Sequence, residues 1–286
     1  MKRVYPLIIT LLAFTTLACS LFSFGSSGPG FNAVEISVVT NSSLTNWMQR
    51  SANEFNAEGF QTENGRNIFI TVSELDAGTA ITELTTGTNP DLWIPDEQVW
   101  VNLLADQGNN SFQANCQSVA ESPLVIGMYR EVAESLGWPG LPLGWLDIGS
   151  LATDSNAWRY YSGGEFGSTL RMGHTHPGLS GTGASTLLSV VQAAQSKTDA
   201  VTLTDIQQPI VQASVGAFES GVAIFSTDSA SLGNQMADRG VNYLGAGIMH
   251  ETTVLQSGGT NMCQFIRLKA PLWQISRPVS IKAAIA

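Results

Sequence analysis

Charge is scarce in this 286-residue chain: Asp, Glu, Lys and Arg make up 13% of it, against about a quarter in ordinary soluble domains. The 13 basic residues are outnumbered by 23 acidic ones, giving a formal charge of −10. So few Lys and Arg cannot build a phosphate-tracking basic face, which excludes nucleic acid as a partner. There are three histidines and no HExxH spacing. His174-Thr175-His176 therefore reads as a polar loop rather than a metal centre, and no cofactor is expected. Nucleotide and hydrolase signatures are missing too. Gly181-Thr182-Gly183-Ala184-Ser185-Thr186 lacks the third glycine of a dinucleotide loop, no Walker lysine exists, and Gly178-Leu179-Ser180-Gly181 is not a nucleophile elbow. After residue 17 no apolar run reaches transmembrane length.

The amino-terminal segment is a targeting signal. Lys2 and Arg3 precede an apolar run from Val4 to Leu17, and Cys19 follows Ala18. The run is short for a bilayer and sits where a secretory signal would. Thr16-Leu17-Ala18-Cys19 resembles the lipobox of bacterial lipoproteins, in which the cysteine carries lipid and becomes the new amino terminus; Thr16 stands where Leu is usual. The alternative is an ordinary cleaved signal, or an uncleaved anchor with an incidental cysteine. Ser20 to Asn32, rich in Gly and Ser, reads as a flexible tether. The expected location is the outer side of the cell membrane, lipid-anchored and facing the extracellular or periplasmic space. With Cys19 engaged, Cys116 and Cys263 remain as an exported pair.

The rest of the chain alternates. Strands are expected at Val34–Thr40, Ile68–Leu75 and Leu92–Pro95, with helices at Leu44–Asn56, from Gly78, and at Val99–Leu104. Such alternation implies parallel pairing in an α/β sheet. Further on, strands are expected at Pro123–Tyr129, Leu170–Gly173, Val222–Ser226 and Asn242–Ala246. Helices are expected at Glu131–Leu136, Ala184–Gln195, Ile206–Phe218 and Ser229–Arg239.

Several strands open into small polar residues at a helix start: Asn41-Ser42-Ser43, Asp76-Ala77-Gly78-Thr79 and Ser180-Gly181-Thr182-Gly183. In an open α/β sheet this is where ligands bind, because helix N-termini offer unpaired N–H groups and partial positive charge. Ser42, Ser43 and Thr182 serve equally well as plain N-caps, each contributing about 1 kcal/mol. Asp228, just past a strand end, is a candidate for ligand contact or cleft closure.

The order of these segments resembles extracellular solute-binding proteins of the type 2 periplasmic-binding-protein fold, akin to molybdate and sulfate binders; some relatives carry a von Willebrand factor type A domain. The resemblance runs from Val34 to about Gly259. It is carried by the opening strand and helix through Phe55-Asn56-Ala57, by Asn89-Pro90-Asp91-Leu92-Trp93, by Ser122 to Met128 with Leu136-Gly137-Trp138-Pro139, and by Gly173 to Gly183. It implies a signal at 1–19, a tether at 20–32, lobe one at 33–124, lobe two at 125–259 and an aberrant tail at 260–286. It also implies a ligand cleft lined by Ser42, Ser43, Asp76, Gly78, Pro90, Asp91, Ser122, Thr175, Ser180, Gly181, Thr182 and Asp228. The expected function is capture of a small ligand, an oxyanion among the candidates, without bond chemistry. A transporter permease or a von Willebrand factor type A domain is the expected partner. Two other readings stand beside it: a surface sensor fragment that has lost such a domain, and a hydrolase using Ser180 with His174 or His176.

The tail departs from the pattern. From Met262 the chain carries Arg267, Lys269, Arg277 and Lys282 with no acidic residue. One permissible set of codons for Met262 onward, read one frame away, gives Val-Pro-Ile-Tyr-Ser-Pro-Glu-Gly-Thr-Phe-Val-Ala-Asp-Gln-Pro-Thr-Cys, the continuation the family pattern calls for. A frameshift near Asn261, with loss of the end of lobe one, is therefore expected; a divergent but genuine tail is the alternative. Resequencing the gene across Asn261 tests this. The frameshift predicts codons that allow the Pro-Ile-Tyr reading, and codons that forbid it remove the argument.

Overall fold

The computed structural model describes residues 28–87, 89–112, 116–141 and 143–257, together with the backbone of strands 264–266 and 279–285. The targeting segment, Cys19, Met262 and Cys263 lie outside the described residues.

Strand β1 (Val34–Thr40) leads through the cap Asn41 into helix α1 (Ser42–Glu58), then β2 (Ile68–Glu74), α2 (Ala77–Thr86), β3 (Leu92–Ile94) and α3 (Gln98–Asp106). The Asn41 side chain accepts from the Leu44 N–H, and Gly59 ends α1 in the left-handed region at φ 68°. Strand β1 pairs in parallel with both β2 and β3, as the alternation requires. Strand β4 (Gln117–Ser122) closes the first half; it belongs to the same sheet, whose order is β2-β1-β3-β10-β4 with β10 at Val279–Ile285. Trp93 is fully buried at its centre and packs against Phe112 with ring centroids 5.6 Å apart.

One residue after β4 the chain enters a second sheet. Pro123 separates β4 from β5 (Leu124–Met128), so Ser122 and Leu124 lie in different sheets. Helices α4 (Arg130–Ser135), α5 (Trp145–Thr153) and α6 (Ser155–Ser162) follow, then β6 (Met172–Thr175), α7 (Gly181–Gln195), the short α8 (Leu203–Ile206) and α9 (Pro209–Ser220). Strand β7 (Val222–Ser226), α10 (Ser229–Arg239), β8 (Ala246–His250), α11 (Glu251–Ser257) and β9 (Gln264–Ile266) complete the order. The sheet runs β7-β6-β8-β5-β9, with β6 parallel to β7 and β8, and β5 antiparallel to β8 and β9. One apolar core holds this half together, built from β5, β6, β8 and the inner faces of their helices; Ile126, Ile148, Trp158 and Leu232 are all fully buried in it.

Several elements differ from their expected places. The strand expected at Asn242–Ala246 lies at Ala246–His250, and a turn occupies 241–243. Its sequence, Ala-Gly-Ile-Met-His, is poor in β-branched residues because α10 packs hard against it: a Cβ on Gly247 would collide with the Met236 sulfur. The strand expected at Leu170–Gly173 begins at Met172 and runs to Thr175. The helix expected at Ile206–Phe218 is two helices, because Pro209 restarts the chain at the first helical position of α9. Helices α5 and α6, unassigned from the sequence, bury Trp145, Ile148, Leu151, Ala152 and Trp158.

Ile126→Ala removes a side chain buried among β5, β8 and β9. Urea unfolding is expected to show a loss of about 2–5 kcal/mol. A loss under about 1 kcal/mol would contradict the packed core described for this half.

Candidate ligand site between the two sheets

The parallel strands of both halves end at one seam, and the last residues of four of them are polar and buried: Thr40 of β1, Thr175 of β6, Ser226 of β7 and His250 of β8. The carboxyl edge of parallel strands is where loops and helix N-termini gather. Here α1, α2 and α7 begin at the seam, with Asn41, Asp76 and Ser180 as their caps.

These helix starts do not behave as simple caps. Ser42, Ser43 and Thr182 lie inside the first turns of their helices, so none is an N-cap. The Ser43 hydroxyl reaches Thr253 Oγ1 of the other half at 3.1 Å, and Thr182 Oγ1 bonds Ser229 Oγ at 2.7 Å. Ser180 occupies the cap position of α7 but makes no capping hydrogen bond. Asp76 caps α2 by position only; its Oδ1 accepts from the Ser42 N–H at 2.8 Å, across to α1. Asp96, in the joint between β3 and α3, sets its carboxyl against Gly181 at the start of α7, whose backbone N–H opposes the rise in its pKa. Resident carboxyls thus stand where an incoming anion would meet these helix N-termini.

Two glycines make this approach feasible. A Cβ on Gly78 would collide with the Gly178 carbonyl of the other half, and one on Gly181 would collide with the Asp96 carboxylate. With both absent, the Thr79 N–H donates to the Leu179 carbonyl at 3.1 Å and Ser185 Oγ donates to Glu97 Oε1 at 3.0 Å. At the hinge, Ser122 Oγ bonds Thr252 Oγ1 at 3.3 Å, and the Ser122 carbonyl accepts from His250 Nδ1 at 3.2 Å.

What distinguishes the seam is polar atoms with no partner. Thr40 Oγ1, Asn41 Nδ2, Ser42 Oγ, Asp96 Oδ2, Thr175 Oγ1, Ser180 Oγ, Ser226 Oγ and His250 Nε2 are all buried and unpaired. The hydroxyls of Ser42 and Ser180 lie beside the Asp76 carboxylate without reaching good hydrogen-bond geometry. An unpaired buried polar group costs about 1–3 kcal/mol, so such groups are normally satisfied. Elsewhere among the described residues only the indole nitrogens of Trp93 and Trp158 are in this state. Eight such atoms, drawn from both halves, gather where the strands of the two sheets end.

Burial sets the protonation of the ionisable groups. It is the main reason the Asp76 carboxyl titrates above the usual carboxylate range, against the opposing pull of Ser180 and the Ser42 N–H. Burial, then the neighbouring Asp76 and Glu97 charges, push Asp96 well above that range. Burial also lowers His250 to about 4, so its imidazole is neutral. With Nδ1–H donating to Ser122, Nε2 is a bare acceptor, 3.8 Å from Asp96 Oδ1.

The other expected site residues fall differently. Asp228 caps α10 with Oδ1 on the Ser231 N–H at 2.6 Å, while Oδ2 accepts from the hydroxyls of Ser231 and Thr227. Its carboxylate is thereby committed to capping, and it acts on the seam through its charge on Asp76. Pro90 and Asp91 precede β3, whereas the seam lies at its other end. Asp91 is exposed and holds the Ser37 N–H and hydroxyl at 2.8 and 2.7 Å, pinning β3 to β1. The hydrolase reading finds no geometry: His174 is engaged by Glu219 at 2.9 Å and His176 by the Gly178 N–H at 3.1 Å. Asp96, His250, Thr40 and Ser226 were missed from the sequence. A separate apolar groove of about 650 Å³, lined by Val99, Leu103, Leu187, Leu188, Ile206 and Val215, lies away from every unpaired atom of the seam.

Two sheets with a polar seam at their carboxyl edges define a two-lobed binding protein. The model of the family described as "Bacterial extracellular solute-binding protein" matches residues 36–285, and the chain belongs to that family. The match runs past Gly259 through β9 and β10. Membership places the chain among binding proteins rather than enzymes, with an extracellular or periplasmic setting. Similar folds include the sulfate-binding protein SubI of Mycobacterium tuberculosis (TM-score 0.55, 13% identity, 81% of this chain and 70% of that one). The periplasmic binding protein AfuA of Actinobacillus pleuropneumoniae, with fructose-6-phosphate bound, aligns with TM-score 0.53 and 13% identity over 81% of this chain and 68% of its own. The molybdate-binding protein of Azotobacter vinelandii aligns with TM-score 0.50 and 14% identity over 87% and 84%. At these identities the likeness is one of fold. No curated protein sequence matches the chain. Among the described residues no helix is long and apolar enough to cross a membrane.

The protonation pattern predicts opposite pH limbs. Asp96 titrates higher folded than unfolded, so the folded chain holds the extra proton and stability falls as pH rises through its folded value. His250 titrates lower folded than unfolded, so stability falls as pH drops from about 6.5 towards 4. Thermal unfolding across pH is expected to show both limbs. Asp96→Asn should reduce the alkaline limb, to which Asp76 also contributes, and stabilise the protein at pH 7 by about 1–3 kcal/mol. An Asp96→Asn protein less stable than wild type at pH 7 would contradict this.

Proposed function

We propose that this chain is an extracytoplasmic solute-binding lipoprotein that captures a small ligand in the cleft between its lobes. The observation that carries the reading is the set of unpaired buried groups drawn from both lobes at one seam. A ligand that satisfies Ser42 and Asp96 on one side and Ser180 and His250 on the other binds the closed arrangement better than the open one. It therefore shifts the population towards closure, and no bond chemistry is needed. The single-residue link at Pro123 is a natural pivot. Lipid on Cys19 would hold the protein at the membrane, and its partner would be a transporter permease or a von Willebrand factor type A domain.

Screening a solute library by thermal shift tests this. Wild type is expected to gain several degrees with at least one solute and turn none over. Gly181→Ala, which sets a methyl group against Asp96 and holds the lobes apart, is expected to lose at least tenfold in affinity for that solute. Unchanged affinity would mean that binding does not use the seam. For the anchor, Cys19→Ser is expected to move the protein from the membrane fraction to the medium; continued membrane attachment would contradict the lipobox.

A further inference from the structure

We infer that the cleft selects a small organic ammonium ion, one bearing a primary amine with hydroxyl or further N–H groups, rather than an oxyanion. This rests on the cleft-binding reading above and adds the class of solute.

The strongest acceptors at the seam lack donors. Asp96 Oδ2 is unpaired although the residue is 1% exposed, and His250 Nε2 is an unpaired lone pair on a fully buried ring 3.8 Å from Asp96 Oδ1. Asp76 lies close enough to both Asp96 and Asp228 for their charges to act on one another, and Glu97 adds a further carboxylate. The remaining unpaired groups are hydroxyls, which either give or accept, and the Asn41 amide nitrogen. A ligand that fits must bring several donors and positive charge.

Among the described residues no Lys or Arg acts on Asp76 or Asp96, and Arg159 is exposed on α6. Arg66 holds the carbonyls of Asn32 and Ala33, Arg171 that of Tyr243, and Arg50 that of Asn46. Lys197 is engaged by Asp205, Arg130 by Glu134, and Arg239 lies over the Tyr243 ring. Every one of the 23 acidic residues falls between Glu35 and Glu251, so the two lobes also attract cations at long range. An oxyanion would meet the Asp76, Asp96, Glu97 and Asp228 carboxyls and find the Ser42 N–H taken by Asp76.

The chemistry narrows further. Among the described residues no three His, Cys, Asp or Glu side chains come together as metal ligands, which argues against a metal ion. A quaternary ammonium needs a cage of Trp, Tyr or Phe faces, and none of the unpaired seam residues is of those types. Direct contacts such as Ser43–Thr253 and Thr79–Leu179 keep the seam tight, so the solute is small. A primary ammonium group meets Asp96 and His250 Nε2 with its three donors, and hydroxyls or a second amine serve Ser42, Ser180 and Thr175.

Thermal shift and calorimetry on the full chain test this, with ammonium, ethanolamine, putrescine and glucosamine as probes against sulfate, molybdate, choline, calcium and glucose. At least one primary amine is expected to raise the melting temperature by several degrees. Asp96→Asn should lower its affinity tenfold or more while remaining folded, and Ser180→Ala should lower it severalfold. A shift with sulfate, molybdate, glucose, choline or calcium and none with a primary amine overturns the ammonium assignment while leaving cleft capture intact. Amine binding equally strong in Asp96→Asn also overturns the assignment. No shift with any probe, in a chain that also fails the library screen, sinks both readings.

Discussion

Everything at the seam depends on carboxylates buried against helix N-termini. Asp76 on the Ser42 N–H and Asp96 beside the start of α7 place acidic groups where backbone dipoles favour negative charge. The same arrangement withdraws both groups from water, and the backbone donors recover only part of that desolvation. Glycine at 78 and 181 brings the lobes close enough to exclude solvent, and exclusion is what makes the remaining acceptors so demanding. The seam is therefore under-bonded by construction.

The scaffold around it distributes the opposite requirement. Apolar residues fill the second sheet and its helices, and Trp93 with Phe112 anchors the first. The polar ends of β1, β6, β7 and β8 are left at one edge. A fold shared with a sulfate binder, a molybdate binder and a fructose-6-phosphate complex does not fix which solute is taken, because function lies in the residues at that edge. In this chain those residues include two buried carboxylates and a neutral imidazole acceptor.

Much of this was legible in the sequence. The β-branched run ending at Thr40 and followed by Asn-Ser-Ser marked both a strand and a helix start, and Ser180-Gly181-Thr182-Gly183 marked another. Ser122-Pro123 marked the crossing between halves, since proline cannot continue a ladder. Other features were hidden for physical reasons. Pro95-Asp96-Glu97 reads as a solvated turn, because carboxylates are rarely buried, and only tertiary closure covers Asp96. His250 was obscured because β8 lies four residues beyond the expected strand, its glycines dictated by Met236 rather than by strand propensity. Asn89-Pro90-Asp91 looked like the same kind of strand-end loop but sits at the opposite end of β3. The roles of Ser42, Ser43 and Thr182 turned on helix starts two and three residues earlier than expected, which sequence patterns do not resolve.

The most direct measurement is a crystal structure of the chain grown with the best-binding solute. Density is predicted between the lobes, with a nitrogen within hydrogen-bond distance of Asp96 Oδ2 and His250 Nε2 and with Ser42 and Ser180 satisfied by the same molecule. A solute seated in the apolar groove beside Val99 and Leu188, with Asp96 and His250 still lacking partners, would contradict it.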